Sequence, residues 1–459
     1  MSRVLAAVVV CAVPGAVEGA HLHADGAGGG EVCAPENGDV NGDAQIDMGD
    51  AITILGHLFL GGPASLLPPC SPPAAAPALP ATGQSKCYEA NGTEVPCNAS
   101  TCPGQDGAYS LGCPPEGRFV DAGDGTVLDT CTGLIWQKEA ETERLLWCDA
   151  LAHCEGLSFA GHDDWRLPNV RELQSLVDYG RSGLALDLVF VPADLVWSST
   201  PAGGDHAWFV GFGVGNLGGS VSPIATTLGN RAQARAVRSG DVGAGGACAT
   251  GTGDVNGDSK IDLGDAITLL GHLFLGGPTQ LLPFCASPAP VRGLPATGKK
   301  ICYDRDGAET ACNDAACPGQ DGAYSTGCPP QGRFADGGDG TVLDTCTGLV
   351  WQKRPGAENR TWCDALAYCE GLSFAGHDDW RLPNVRELLS IVDYGRTGTP
   401  LDPVFSHSGY PVYWSSTPQT NDARQAWTVG FPPGNGGGTI SPVLRTNDRL
   451  TVRAVRTAP

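Results

Sequence analysis

The sequence predicts an α+β protein built from two tandem copies of one composite unit. Residues 33–180 recur at 248–395 with a constant offset of 215, so GHDDWRLPNVREL at Gly161 returns unchanged at Gly376. Within each copy the hydrophobic pattern runs from short strands through two helices to further strands, which is typical of an α+β domain with an antiparallel sheet. Cysteine is dense, with 19 in 459 residues, which favours a disulfide-rich exported chain.

Charge and hydropathy narrow the classes of partner. The formal net charge is −22, and nucleic-acid binding needs clustered Lys and Arg, so we expect no nucleic-acid partner. An acidic chain instead suits carboxylates that bind cations. Beyond the N-terminus no stretch approaches the roughly 18 apolar residues that cross a bilayer, so we expect that the protein does not span a membrane.

The N-terminus has the pattern of a secretory signal. Arg3 precedes an apolar run from Val4 to Val17, and small residues between Ala16 and Ala24 offer several cleavage points. We therefore predict a signal peptide at 1–24, with the cleavage site open. The expected location is secreted or cell-surface, in an extracellular or periplasmic space.

The first segment of each copy, at 31–70 and 253–285, carries a candidate calcium loop. Oxygen-bearing side chains stand at relative positions 1, 3, 5, 9 and 12, the spacing by which a 12-residue loop wraps Ca²⁺, while position 7 offers its backbone carbonyl. An apolar helix follows, over 51–60 in the first copy and 266–275 in the second, and each ends at a Gly-Gly-Pro stop. The predicted calcium ligands are Asp39, Asn41, Asp43, Gln45, Asp47 and Asp50, and Asp254, Asn256, Asp258, Lys260, Asp262 and Asp265.

This loop and helix resemble the calcium-binding half-repeat of type I dockerins, and the resemblance implies an EF-hand-like unit with calcium as its cofactor. A dockerin holds two such halves close together, whereas here they lie 215 residues apart. Whether these halves bind a cohesin, each other or nothing is left open.

Linkers and cysteine-rich loops follow. Segments 71–115 and 286–330 pair a Pro-rich spacer with a Cys-rich stretch, and 241–252 is a Gly-rich linker. Without Cys11 each copy holds nine cysteines, so either one thiol per copy stays free or one bridge joins the copies. The predicted disulfides are Cys33–Cys70, Cys248–Cys285, Cys87–Cys97, Cys302–Cys312, Cys102–Cys113 and Cys317–Cys328.

The globular body of each copy lies at 116–240 and 331–459. A hairpin is expected over 126–138, then a helix over 147–157, then a helix capped by Asn169 with Glu172 in a capping box, then closing strands. On a regular helix Cys148 and Cys154 lie about 9 Å apart, beyond the roughly 7 Å that a disulfide spans. We therefore expect Cys131 to take one of them.

The motifs TGLIWQK, DWRLPNVREL, WSST and VRAVR resemble the DUF1566 family, also called the Lcl C-terminal domain. The resemblance covers about 120 residues of each copy. It implies two C-type-lectin-like α+β domains in tandem, each with a small EF-hand-like unit and a Cys-rich segment, in an extracellular adhesive protein. The strong negative charge disfavours a sulfated ligand.

Candidate binding residues form a polar cluster repeated in both copies, namely His162 and Asp163, and His377 and Asp378. The competing interpretation is that the adjacent Asp164 pairs with Arg166 or a terminal arginine to fix the loop. Trp136, Trp165, Trp197 and Trp208 are either a sugar-stacking platform or core, and Arg235 and Arg238 either structural partners or anion binders.

The sequence contains no G-x-S-x-G elbow, phosphate loop or HExxH motif. We expect a non-catalytic, adhesin-like protein that engages a glycan, cell-surface or protein partner. The alternative is a structural envelope or enzyme-accessory protein whose dockerin-like halves dock with each other or with a partner module.

Overall fold

The structure, a computed structural model, describes residues 52–55, 79–213, 218–226, 229–240, 267–270, 294–313, 317–396, 398–407, 411–432, 437–446 and 448–458. The chain divides into two compact units. The first comprises 1–71 with 247–284, and the second comprises 72–246 with 285–459. The globular domains of both copies therefore belong to the same unit.

Of the first unit, the structure describes one helical turn in each copy, at 52–55 and 267–270. Ile54 and Leu269 occupy matching positions in these turns and both are fully buried, whereas Ile52 and Ile267 are exposed. The predicted helices over 51–60 and 266–275 are helical at these residues. The rest of each prediction lies outside the described residues.

The second unit is a mixed α/β body of two repeated halves, with many short strands and few helices. Its helices are α1 Asp106–Tyr109, α2 Trp147–Glu155, α3 Val170–Ser175, α4 Asp321–Tyr324, α5 Trp362–Glu370 and α6 Val385–Ser390, with a 3-10 turn at Cys97–Ala99. The strands of the first copy are β1 Cys87–Tyr88, β2 Glu94–Val95, β3 Phe119–Asp121, β4 Thr126–Asp129, β5 Leu134–Gln137, β6 Leu195–Gly203, β7 His206–Gly211, β8 Val221–Ala225 and β9 Val237–Ser239. Those of the second copy are β10 Cys302–Tyr303, β11 Glu309–Thr310, β12 Phe334–Asp336, β13 Thr341–Asp344, β14 Leu349–Gln352, β15 Val412–Pro418, β16 Gln425–Gly430, β17 Ile440–Leu444 and β18 Val455–Thr457.

Each copy has its own four-stranded antiparallel sheet, in the order β3-β4-β5-β9 or β12-β13-β14-β18. The predicted hairpin over 126–138 is confirmed as β4 and β5, with Val127 opposite Trp136. The terminal VR segment returns to pair with β5, which brings Arg238 opposite Ile135. The beginning and the end of each globular domain therefore meet in one sheet.

Besides the two-stranded sheets of β1–β2 and β10–β11, a larger sheet is shared by the two copies. Its six strands run β15-β16-β17-β8-β7-β6, and the copies join where Val221 of β8 stands opposite Ile440 of β17. The end strands β6 and β15 are almost entirely buried. Each is contacted by the short Cys-rich helix of the other copy, α4 on β6 and α1 on β15, so neither is an open sheet edge of the kind that invites aggregation.

Helices α3 and α6 lie where the two copies meet. The predicted capping box is confirmed. The Asn169 side chain accepts from the backbone N–H of Glu172, and the Glu172 carboxylate accepts from the backbone N–H of Asn169. Every residue of α3 and α6 is buried. One hydrophobic core runs through both copies and includes residues of both helices. The two helices are therefore packed on every face. Within the described ranges no helix is both long enough and apolar enough to cross a membrane.

Candidate functional site

The predicted calcium ligands, at 39–50 and 254–265, and the predicted disulfides Cys33–Cys70 and Cys248–Cys285 lie outside the described residues. Calcium binding therefore stays a prediction.

The predicted polar cluster lies on a surface turn. The backbone of His162 pairs with Phe159 in both directions, at 2.9 and 3.0 Å. Asp163, His377 and Asp378 are exposed. Asp164 meets the Nε of Arg238 at 2.7 Å, which holds the pKa of that carboxyl below its usual value. The pairing of Asp164 with a terminal arginine is therefore the interpretation that the geometry supports. Among the residues that the structure describes, no group of His, Cys, Asp or Glu is arranged to hold a metal ion.

The tryptophans that were candidates for a sugar platform belong to the core. Trp136, Trp165, Trp197 and Trp208 are at most 2% exposed. The Nε1 of Trp197 donates to the Leu145 carbonyl at 2.9 Å. Since a stacking platform must be open to its ligand, the core interpretation is correct for these four.

Arg235 is also a structural residue. Its guanidinium donates to the carbonyls of Gln137, Lys138 and Val191 and stacks on Phe190 at 5.0 Å. Burial lowers its pKa to about 9. It ties the last strand region to the loop before β6 and is not open to an outside anion.

Some of the disulfides match the sequence prediction and others do not. Cys87 bonds Cys97 and Cys302 bonds Cys312, the same local partners that the sequence suggested. The predicted bonds Cys102–Cys113 and Cys317–Cys328 are wrong. Cys113 bonds Cys131 and Cys328 bonds Cys346, and Cys131 therefore takes neither Cys148 nor Cys154.

Two disulfides join the copies reciprocally. Cys102 of the first copy bonds Cys363 of the second, and Cys317 of the second bonds Cys148 of the first. Cys154 and Cys369 are free and buried, and burial raises their thiol pKa. The odd cysteine count thus leaves one free thiol in each copy among the described residues, and two bridges between the copies instead of one. Local pairing failed because each Cys-rich segment packs on the other copy.

The contacts around these bridges form a matched pair that we call the reciprocal clamp, comprising residues 102–109 with their partners in the second copy and residues 317–324 with theirs in the first. Asp106 on α1 accepts hydrogen bonds from Thr82 and from Thr417 of the second copy, both at 2.7 Å. Asp321 on α4 accepts from Thr297 at 2.6 Å and from Thr200 of the first copy at 2.8 Å. Each buried carboxylate thus tethers its own segment to the facing sheet.

Tyrosines complete the clamp at its rim. The Tyr109 hydroxyl donates to Glu370 at 2.5 Å, and the Tyr324 hydroxyl donates to Glu155 at 2.6 Å. Gly104 and Gly319 lie beside these glutamates with φ of +74° and +73°, and a Cβ at either glycine would clash with the carboxylate. The positive φ favours glycine at both positions, and a Cβ there would push the glutamate carboxylate aside.

Burial sets the electrostatics of the clamp. Asp106 is 3% exposed, and desolvation raises its pKa to about 6 despite the two threonine hydroxyls that favour the ionised form. Desolvation raises the pKa of Asp321 for the same reason. The clamp therefore favours a protonated Asp106 in mildly acid conditions.

Arginines cap the helices of the opposite copy. Arg171 on α3 donates to the Ser390 carbonyl at 2.6 Å and to the Val392 carbonyl at the C-terminal end of α6. Arg386 on α6 donates to the Val177 carbonyl just beyond α3. Unpaired carbonyls at helix C-termini carry partial negative charge, so these contacts offset the burial of the two guanidiniums. Burial lowers the pKa of both arginines to about 10.

A cleft of about 220 Å³ opens beside the clamp, between the globular domain of the first copy and the Cys-rich segment of the second. At its base Arg166 and Glu172 form a buried two-point ion pair at 2.7 Å. The Thr326 hydroxyl of the second copy donates to the Glu172 carboxylate at 3.3 Å and accepts from the side-chain amide of Asn169 at 3.0 Å. The cleft is lined by Thr132, Gly133, Leu134, Arg166, Asn169, Glu172, Ser239, Gly240, Leu294, Thr326 and Gly327.

Sequence reasoning placed Asn169 and Glu172 only in a helix cap and did not find this cleft. No pattern within one copy signals it, because one wall comes from the other copy.

The fold and these contacts define a disulfide-linked tandem of two small α+β domains. The Lcl C-terminal domain family matches the chain at 125–238 and 340–456, which together make half of its length. The chain therefore belongs to the Lcl C-terminal domain family, with one domain in each copy. No curated protein and no solved structure gives a significant match to the chain.

Proposed function

We propose that this protein is an exported, non-catalytic, adhesin-like binding protein whose clamped pair of Lcl C-terminal domains engages a glycan, a cell surface or a protein partner through the cleft of the first copy. The observation that carries the proposal is the cleft itself, a concave site with several polar side chains, built on a body whose two copies are joined by two disulfides. A site on a rigid scaffold loses little conformational entropy on binding. Disulfide density supports export.

The size and chemistry of the cleft favour a small protruding group. Its volume of about 220 Å³ is below the roughly 300–1,000 Å³ of pockets that take drug-sized ligands. One sugar ring or one side chain of a partner fits that space. Its wall offers hydroxyls at Thr132, Ser239 and Thr326, and hydroxyls both donate and accept hydrogen bonds, as a sugar ligand requires.

The test is a glycan array and a pull-down from envelope extract with the calcium-loaded full chain. Ser239→Trp fills the cleft from an exposed position, and Thr457→Trp is the matched control at the equivalent exposed strand residue of the second copy. We expect Ser239→Trp to abolish binding and Thr457→Trp to leave it intact. Equal binding by both variants would remove the cleft from the proposal.

Calcium and the lectin-like fold belong to the same proposal. We expect the loops at 39–50 and 254–265 to bind Ca²⁺ as EF-hand-like units, and the globular domains to have a C-type-lectin-like arrangement. Supporting this are five oxygen-bearing positions filled twice at the calcium spacing and the meeting of the first and last strands of each domain in one sheet. Calorimetric titration with Ca²⁺ should give heat, and EDTA should lower the Tm. No heat together with an unchanged Tm would contradict calcium binding.

A second candidate function is a structural role in which the two dockerin-like halves dock with each other. It is favoured by the grouping of 1–71 with 247–284 in one compact unit and by the full burial of Ile54 and Leu269. Cross-linking with mass spectrometry should then find the helices over 51–60 and 266–275 adjacent. Cross-links that never join these helices, in a calcium-loaded monomer, would rule this docking out.

A further inference from the structure

The clamp uses the same residue types in both directions. The segment that inserts carries Cys102, Asp106 and Tyr109 in the first copy and Cys317, Asp321 and Tyr324 in the second. The surface that receives it carries Cys148, Glu155 and Thr200 in the first copy and Cys363, Glu370 and Thr417 in the second. The inserting segment of either copy therefore carries the residue types that pair with the receiving surface of its own copy as well as with that of the other copy.

Each copy is also a covalent unit in its own right. Cys113–Cys131 and Cys328–Cys346 tie each Cys-rich segment to its own globular domain. Each copy thus presents one inserting cysteine and one receiving cysteine, and two copies satisfy each other in a closed two-fold exchange. The chemistry of this exchange does not depend on whether the partner copy belongs to the same chain.

We propose that the reciprocal clamp also joins copies of different chains, so that the protein assembles into disulfide-linked dimers and longer chains. Because every chain holds two copies and each copy pairs with one other, pairing between chains makes each molecule divalent. Divalent units form rings or open linear assemblies. The tether through 241–293 favours pairing within one chain by raising the effective concentration, so assembly between chains grows with protein concentration.

The covalent step is an ordinary thiol oxidation. The Cys102 thiol of one chain and the Cys363 thiol of another lose two protons and two electrons and form one S–S bond. The oxidant is a low-molecular-weight disulfide, here oxidised glutathione, which is reduced to two thiols.

The test uses full-length chain, reduced, unfolded and then refolded in a glutathione buffer. In Cys102→Ala/Cys148→Ala both remaining clamp cysteines, Cys317 and Cys363, lie in the second copy, so a clamp disulfide can form only between chains. Cys102→Ala/Cys363→Ala is the matched control, because it loses the same number of cysteines and keeps the Cys148–Cys317 bond within one chain. We expect the first variant to form covalent dimers and the control to stay monomeric at micromolar concentration.

Isotope mixing identifies the bond. When equal amounts of ¹⁴N and ¹⁵N protein are refolded together, Cys317–Cys363 peptides of the first variant should contain one light and one heavy partner in about half of the molecules. Wild-type Cys102–Cys363 peptides should show mixed pairs whose share rises with concentration. A first variant that stays monomeric at every concentration, or whose Cys317–Cys363 peptides are never mixed, would overturn the proposal, as would wild-type peptides that are never mixed.

Discussion

In the second copy Arg445, the residue after β17, closes the rim of the clamp, whereas in the first copy Thr226 follows the matching strand β8. Arg445 follows β17, stacks 4.4 Å from the Trp362 ring and reaches the Glu89 carbonyl of the first copy at 3.3 Å. The other rim is closed by Arg305 of the second copy, which pairs with Asp149 of the first at 2.7 Å. Both rims are therefore closed, but by different residues on different elements.

The centre of the clamp shows no such divergence. Both copies use the same cysteine, aspartate and threonine types, and the aspartate–threonine distances match. The cleft again differs, because Thr326, which hydrogen-bonds the buried Glu172, has Leu111 at the corresponding position of the first copy. The centre of the clamp is the same in both directions and joins the two copies, whereas the rims and the cleft differ between the copies.

The largest expected effect comes from breaking a bridge at the centre. Cys148→Ala with Cys317→Ala should lower the free energy of unfolding by about 4 kcal/mol, because that disulfide closes a long loop. Its separation is 169 residues, against 10 for Cys87–Cys97. The local pair changed to alanine in the same way is the control and should cost less, about 3 kcal/mol or below. Urea unfolding of both variants checks this, and an equal or reversed order would contradict a central role for the bridge.

A fall in pH should stabilise the folded protein through Asp106. Its pKa is about 6 in the folded protein and near 4 in an unfolded chain, so between these values the folded state holds more protons. Stability from this group is therefore fully present below pH 4 and is lost as the pH rises through 6. Relative to Asp106→Asn, wild type should gain about 2 kcal/mol between pH 7 and pH 4.

Chemical denaturation at several pH values measures this difference. Asp321→Asn is the matched variant in the second copy and should change the pH dependence in the same direction. A pH profile of Asp106→Asn parallel to that of wild type would show that burial does not raise the pKa of Asp106 in the folded protein.

Removing a helix-capping arginine should have an intermediate effect. Arg171→Met leaves the buried Val392 carbonyl without its donor, which should cost about 2 kcal/mol. The Ser390 carbonyl still accepts from Arg333 at 2.8 Å, which limits the loss. Thermal unfolding of this variant beside Arg386→Met should show losses of similar size. A neutral result for both would mean that these contacts add nothing to the junction of the copies.

The smallest stability effect is expected in the cleft. Thr326→Leu gives the second copy the residue that the first carries at Leu111 and removes a single half-exposed hydroxyl, so the change in unfolding free energy should be below about 1 kcal/mol. Ligand capture should nevertheless fall, since the polar wall is lost. The reverse change, Leu111→Thr, is the control for stability. If the Thr326→Leu variant still captured the ligand, the Thr326 side of the cleft would not take part in binding.

The sequence predicted the local elements of each copy. The hairpin over 126–138, the helix that begins at Trp147 and the Asn169 cap depend on local periodicity and local hydrogen bonds, which a linear pattern contains. Burial of the four tryptophans was left open because a period-two aromatic suits a core and a binding face equally well. The partners of Cys102 and Cys148 were missed because spacing favours nearby cysteines, whereas the true partners lie 261 and 169 residues away.

The odd number of cysteines was the one signal that pointed beyond a single copy. It favoured a bridge between copies as one of two alternatives, but it gave neither the number of bridges nor their ends. The cleft was out of reach for the same reason, since Thr326 and Leu294 come from the second copy.

Peptide mapping of the oxidised, non-reduced protein tests the reciprocal clamp most directly. Digestion and mass spectrometry should find the linked peptides Cys102–Cys363 and Cys148–Cys317 in equal amounts. Peptides linked within a copy, such as Cys102–Cys113 or Cys102–Cys148, would show instead that each copy closes on itself.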